Sequence, residues 1–137
     1  MIPENELSLN TLATHLENSG WDVDLREDCL ILHTERGLAF SVTPDETRKF
    51  IGFCTFLPVR SDFEERLEWV NRLNNEIFMT SFAFVDDRNL RIVYYMSYRG
   101  GLILGQFAYI TRRYAGLIDL TRRSHDPEGL IFDIGEN

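Results

Sequence analysis

The sequence predicts an α+β domain, a mainly antiparallel sheet with helices packed on one face, in the order α-β-β-β-β-α-β-β-α. Three observations predict it: apolar residues recur at helical spacing in three segments, strand-like alternation fills the segments between, and every strand connection except the one through the second helix is short enough for a hairpin. A length of 137 residues suits a single core.

Ser8 caps a first helix in which Leu9, Leu12, Ala13 and Leu16 form one stripe, and Gly20 supplies its left-handed stop. Trp21, Val23 and Leu25 then alternate with Asp22 and Asp24, and Arg26 to Asp28 turn the chain into a strand over Cys29 to Thr34. Glu35-Arg36-Gly37 leads into Leu38 to Thr43, and Pro44-Asp45-Glu46 into the longest strand, Arg48 to Pro58. The first half is thus a helix followed by a four-stranded meander. Ser61 and Glu64 form a capping-box signature for a second helix, about residues 62 to 77, whose stripe is Phe63, Leu67, Val70, Asn74 and Ile77. Met79 to Val85 and Leu90 to Tyr98 form a hairpin around Asp86-Asp87-Arg88-Asn89. Gly100-Gly101 ends that hairpin, and Leu102 to about Arg122 forms the last helix, weakened by Gly105 and Gly116. Residues 1–123 make the domain. The acidic tail, 124–137, carries Leu130, Ile131, Phe132 and Ile134 and either docks as a short strand or stays loose.

Composition narrows the function classes. A net charge of −8 and a pI near 4.8 argue against a nucleic-acid binder and against an anchor on anionic lipid. No membrane span is expected, because the densest apolar run, Ile51 to Leu57, is far below the roughly 18 residues a spanning helix needs. Met1 to Leu9 has neither the basic residue nor the apolar core of a secretory signal, so the expected location is cytoplasmic. Cys29 and Cys54 fit no Cys-x-x-Cys pattern and read as inert core thiols.

No constellation of reactive residues stands out, so no catalytic residue, cofactor or metal is assigned. His15, His33 and His125 lack ligands at metal spacing, and Asp22 with Asp24 reads as a solvated strand face. Gly100 to Gly105 lacks the Lys-Ser or Lys-Thr of a phosphate loop. The alternative there is a small-molecule sensor or enzyme pocket near Gly100-Gly101, with Arg99 as its polar anchor.

Two features stand out physically. Asn74 falls inside an apolar stripe, so its amide is expected to be buried and bonded to backbone where the helix meets the next strand, assisted by Asn71 or Asn75. The strand Arg48 to Pro58 has Phe50, Cys54 and Phe56 on one face and Ile51, Phe53 and Leu57 on the other, so both faces look buried. The second face then needs a subunit, a peptide or the tail as cover. Ile51, Phe53 and Leu57, with Tyr94, Tyr95 and Tyr98 nearby, are the expected interface residues, and the expected partners are a second copy, forming a homodimer, and an unidentified protein.

The Asn71-Arg72-Leu73-Asn74-Asn75-Glu76 helix end, the hairpin with Asp86-Asp87 at its turn, and Gly100-Gly101-Leu102 opening the last helix resemble the YbjN family, over about residues 8 to 120. Members are described as bacterial sensory transduction regulators. The resemblance implies a fold similar to type III secretion chaperones, small acidic proteins that commonly dimerise and hold extended segments of a partner. It implies a non-enzymatic regulator acting through protein contacts, with a secretion-type chaperone as the alternative, and it carries no catalytic residue onto this chain.

Overall fold

A computed structural model describes residues 1–60, 65–126, 128–129 and 131–133. Its elements are α1 (Leu9–Asn18), β1 (Asp24–Leu25), β2 (Leu30–His33), β3 (Ala39–Asp45), β4 (Phe50–Pro58), α2 (Arg66–Glu76), β5 (Ser81–Phe84), β6 (Asn89–Ser97) and α3 (Leu104–His125). The order is the expected one. All strand pairs are antiparallel, and the sheet runs β1-β2-β3-β4-β6-β5. The meander is local, but β6 lies between β4 and β5. It pairs along the whole of β4, from Phe50 opposite Ser97 to Pro58 opposite Asn89.

Local signals account for the ends of α1. Ser8 Oγ accepts the Thr11 amide at 3.2 Å while Thr11 Oγ1 accepts the Ser8 amide at 2.9 Å, a reciprocal cap. Leu12, Ala13 and Leu16 are buried. The capping pair proposed for α2, Ser61 and Glu64, and its first stripe residue, Phe63, lie outside the described residues, as do Leu130 and Ile134. Within α2 the buried side is Trp69, Val70 and Leu73, continued by Ile77, whereas Leu67 is 78% exposed. The helix is therefore rotated from the expected stripe, because the large Trp69 ring, rather than Leu67, faces inward.

The core lies between one face of the sheet and the helices. Phe53, from β4, stands 6.1 Å from Phe107 and 5.5 Å from Tyr114 of α3 between ring centroids, and Phe40 stands 5.3 Å from Tyr114. Tyr114 is buried, and its hydroxyl donates to the Ile92 carbonyl at 2.6 Å, so the phenol enters the core with its polar end satisfied. Burial pushes its pKa well above the ordinary tyrosine value.

A segment near each end of the chain pairs with the domain. Ile2 forms an antiparallel bridge with Leu102, and Phe132 forms one with Val59. The Arg60 amide donates to Ile131 and the Asp133 amide to Pro58, both at 2.8 Å. Phe132 is buried against Trp69, whose indole Nε1 donates to the His125 carbonyl at 3.1 Å. Asp126, buried, accepts the amides of Ile131 and Phe132 at 3.0 and 2.8 Å and so bends the chain back from α3.

Candidate functional site

The parity of β4 decides which surface is free. Ile51, Phe53, Thr55 and Leu57 face the helices and are buried, which corrects the expectation that Ile51, Phe53 and Leu57 form an interface. Thr55 is the polar member of that row and hides its hydroxyl by donating to the Ala39 carbonyl at 2.5 Å. Tyr98 is also buried, with its hydroxyl donating to the Asp45 carbonyl at 3.3 Å, and Tyr94 packs against Phe53. Tyr98 is thus unavailable to a partner, and the half-buried Tyr94 lies on the helix side of the sheet. Of the six expected interface residues, only Tyr95 is on the outer face, where it is 62% exposed.

The outer face is not doubly buried either. Among the described residues nothing covers Phe50, Phe56 or Tyr95, and Phe56 is 54% exposed. Register places these groups together: Gly52 stands opposite Tyr95, Cys54 opposite Val93, and Phe56 opposite Arg91. The Tyr95 ring lies over Gly52, where a Cβ would come within 3.1 Å of Cε1 and 3.3 Å of Cδ1. Gly52 therefore lets the ring lie down on the sheet. A groove of about 540 Å³ opens there, lined by Thr43, Asp45, Arg48, Phe50, Gly52, Phe53, Cys54 and Tyr95.

One end of the groove is fixed by a polar turn. Asp45 accepts the Thr47 and Arg48 amides at 3.1 and 2.9 Å and the Arg48 Nε at 2.9 Å. These bonds, the Arg48 amide first, hold its carboxyl below the usual aspartate range. Lys49 takes a left-handed φ of 61° to complete the turn. Toward the middle, Cys54 is free and half-buried, as is Cys29, so neither is a core thiol. Burial raises the Cys54 pKa, which keeps the thiol protonated and weakly nucleophilic. Chemically, this is a surface for apolar and aromatic contact bordered by fixed charge.

The remaining predicted residues sort by location. Asn74 is exposed rather than buried, yet its amide donates to the Phe82 carbonyl at 3.0 Å and accepts the Phe82 amide at 2.9 Å. Phe82 belongs to the edge strand β5, so the side chain occupies the bonds that a further strand would take. Asn71 and Asn75 are exposed, and their side chains form no hydrogen bond among the described residues. Asn74→Leu is expected to lower stability by about 1 kcal/mol, because both Phe82 groups lose a partner but gain water, while Asn75→Ala changes little. Denaturant midpoints check this; equal midpoints for wild type and Asn74→Leu would show the bidentate contact to be energetically idle.

At the β5–β6 turn, Asp86 accepts the Arg88 and Asn89 amides at 2.7 and 2.9 Å, and these bonds lower its pKa. The Asp87 carbonyl accepts Arg66 Nη1 at 2.5 Å, tying the start of α2 to the hairpin. Gly100 and Gly101 have φ of 80° and 116°, and at Gly101 a Cβ would meet the Ile2 carbonyl at 3.2 Å. The amides of Gly100, Gly101 and Leu102 donate to Glu4, Tyr98 and Ile2, so these three offer no open amide cradle for an anion. Among the described residues no three of His, Cys, Asp and Glu gather as a metal site, and no helix is long and apolar enough to cross a membrane.

Residues 8–123 match the YbjN family, described as "Putative bacterial sensory transduction regulator". The chain belongs to the YbjN family. The crystal structure of YbjN from E. coli, described as "a putative transcription regulator", superposes with a TM-score of 0.72 at 20% identity, covering 91% of this chain and 96% of that one. At that identity the likeness establishes a shared fold. Comparison with curated proteins finds no match. Among the YbjN-like features, the Asn-rich helix end and the Gly-Gly turn are placed where they close the sheet edge and seat the N-terminal segment. The groove residues Gly52 and Phe50 lie outside the motif residues, and their signal in the sequence was only the parity they share with Cys54 and Phe56.

Proposed function

We propose that this YbjN-family chain is a non-enzymatic protein-interaction module that dimerises through the outer face of its sheet. The observation that carries the reading is the uncovered cluster of Phe50, Phe56 and Tyr95 around Cys54 on an otherwise complete two-layer domain. Grouped exposed aromatics mark interaction sites, and sheets readily pack face to face about 10 Å apart. A two-fold axis would bring the same patch from each copy together. The family description supports a regulatory role exercised through such contacts. A cytoplasmic location agrees with the two free cysteines, and a protein partner rather than nucleic acid agrees with the charge of −8.

The groove over Gly52 favours a second reading, a secretion-type chaperone in which an extended apolar segment of a partner lies between Phe50 and Tyr95. Light scattering separates the two. The dimer reading expects a mass near twice 16.0 kDa at micromolar concentration; a mass of 16.0 kDa throughout would remove it and leave the face to a partner segment.

A further inference from the structure

The outer side of α3 differs from the rest of the molecule in charge. Its sequence holds Arg112, Arg113, Arg122 and Arg123 and a single acid, Asp119, giving the helix +3 in a chain of −8 and leaving −11 on the other residues. Basic residues in a last turn are explained by the helix dipole, but Arg112 and Arg113 lie in the middle. Asp119, the one acid of the helix, accepts the Thr34 hydroxyl at 2.8 Å and forms no ion pair with them, so it offsets one of the four charges. Among the described residues no carboxylate pairs with Arg112, Arg113 or Arg123.

The same side is shaped for close approach. Tyr109 is 60% exposed, and a groove of about 450 Å³ runs between Tyr109, Arg112, Arg113, Gly116, Leu120 and Arg123. At Gly116 a Cβ would meet nothing within 4 Å, so alanine fits there and would stabilise the helix by up to about 1 kcal/mol. Internal packing therefore gives no reason for glycine. A backbone without a side chain lets a second helix come nearer than the usual 8–10 Å between axes.

We infer that this face of α3 docks an acidic helix of a partner protein, seated across Gly116 with carboxylates reaching Arg112, Arg113 and Arg123. Charge complementarity selects that occupant. Two copies of the face would confront like charge over most of their contact, and the open approach at Gly116 suits a helix laid against α3. The site is separate from the outer sheet face, because α3 packs on the opposite side of the sheet.

The test uses the full chain and a fluorescein-labelled, N-acetylated helical peptide with glutamates at i, i+4, i+7 and i+11 and alanines between, read by anisotropy. The glutamate peptide is expected to bind at least about tenfold more tightly than its glutamine counterpart, and the advantage should shrink as salt rises. The double variant Arg112→Gln/Arg123→Gln should lose that advantage. Gly116→Leu should also lose binding while its thermal midpoint is unchanged or higher, and Leu67→Gln, at an exposed position of α2, should bind as wild type does. Equal binding of the two peptides, or binding indifferent to Gly116→Leu, overturns the proposal. So does tighter, Arg112-dependent binding of a single-stranded oligonucleotide of equal charge, or self-association of the wild type that the double arginine variant abolishes.

Discussion

Phe53→Asp is expected to give an unfolded chain, whereas Phe56→Asp, three residues along the same strand, is expected to give a folded chain of 16.0 kDa that lacks the dimer contact proposed above. Phe53 is fully buried between Phe107, Tyr114 and Tyr94. Removing such a ring costs about 3–5 kcal/mol, and placing an unpaired carboxylate there adds several more. Together these reach the whole stability of a typical domain, about 5–15 kcal/mol. Phe56 is on the opposite face and more than half exposed, opposite Arg91, so an aspartate there remains hydrated beside a cation. Its cost falls on association, where a desolvated charge opposes the contact. Circular dichroism and light scattering on the two variants decide the matter. An unfolded Phe56→Asp would mean that the outer face is part of the core, and a folded dimeric Phe56→Asp would move the dimer contact elsewhere.

The same pair of residues shows what the sequence contained. Alternation located the longest strand and the apolar character of both its rows, but parity alone does not say which row faces the helices. Phe50, Cys54 and Phe56 look as apolar as Ile51, Phe53 and Leu57 until the neighbours are known, and those neighbours come from β6, paired along the whole of β4 across a long sequence separation. The fold class was legible because capping residues, turn residues and periodicity act locally. Tyr95 could be selected from the tyrosines only through its register opposite Gly52. Asn74 shows the intermediate case. Placing Asn74 inside the apolar stripe led to the right backbone partner from a burial the structure does not have, since the rotation of α2 that leaves Asn74 exposed depends on Trp69, which the expected stripe omitted.

Trp69→Ala is expected to destabilise the domain by about 3–5 kcal/mol and to release the C-terminal segment from the sheet. The indole is 1% exposed and lies where three parts of the chain converge: Phe132 at 5.3 Å in an edge-on contact, Phe84 of β5 at 6.2 Å, and the His125 carbonyl at the end of α3, which accepts its Nε1 proton. Without the ring, Phe132 loses the surface that holds it, and the pairing of Asp133 with Pro58 loses its apolar support. The Asp126 carboxylate still accepts the Ile131 and Phe132 amides, so the loop after α3 keeps one polar anchor. Trp69→Phe separates the two contributions. It retains an aromatic face against Phe132 but leaves the His125 carbonyl without the indole donor, for a loss of about 1–2 kcal/mol. Denaturant midpoints give the two costs, and amide exchange at Asp133 reports release of the segment. Protection of that amide should fall more in Trp69→Ala than the global loss of stability requires, because local opening then precedes unfolding. Exchange at Asp133 that follows only the global loss would show the segment and the domain to be one cooperative unit, held together chiefly by Asp126.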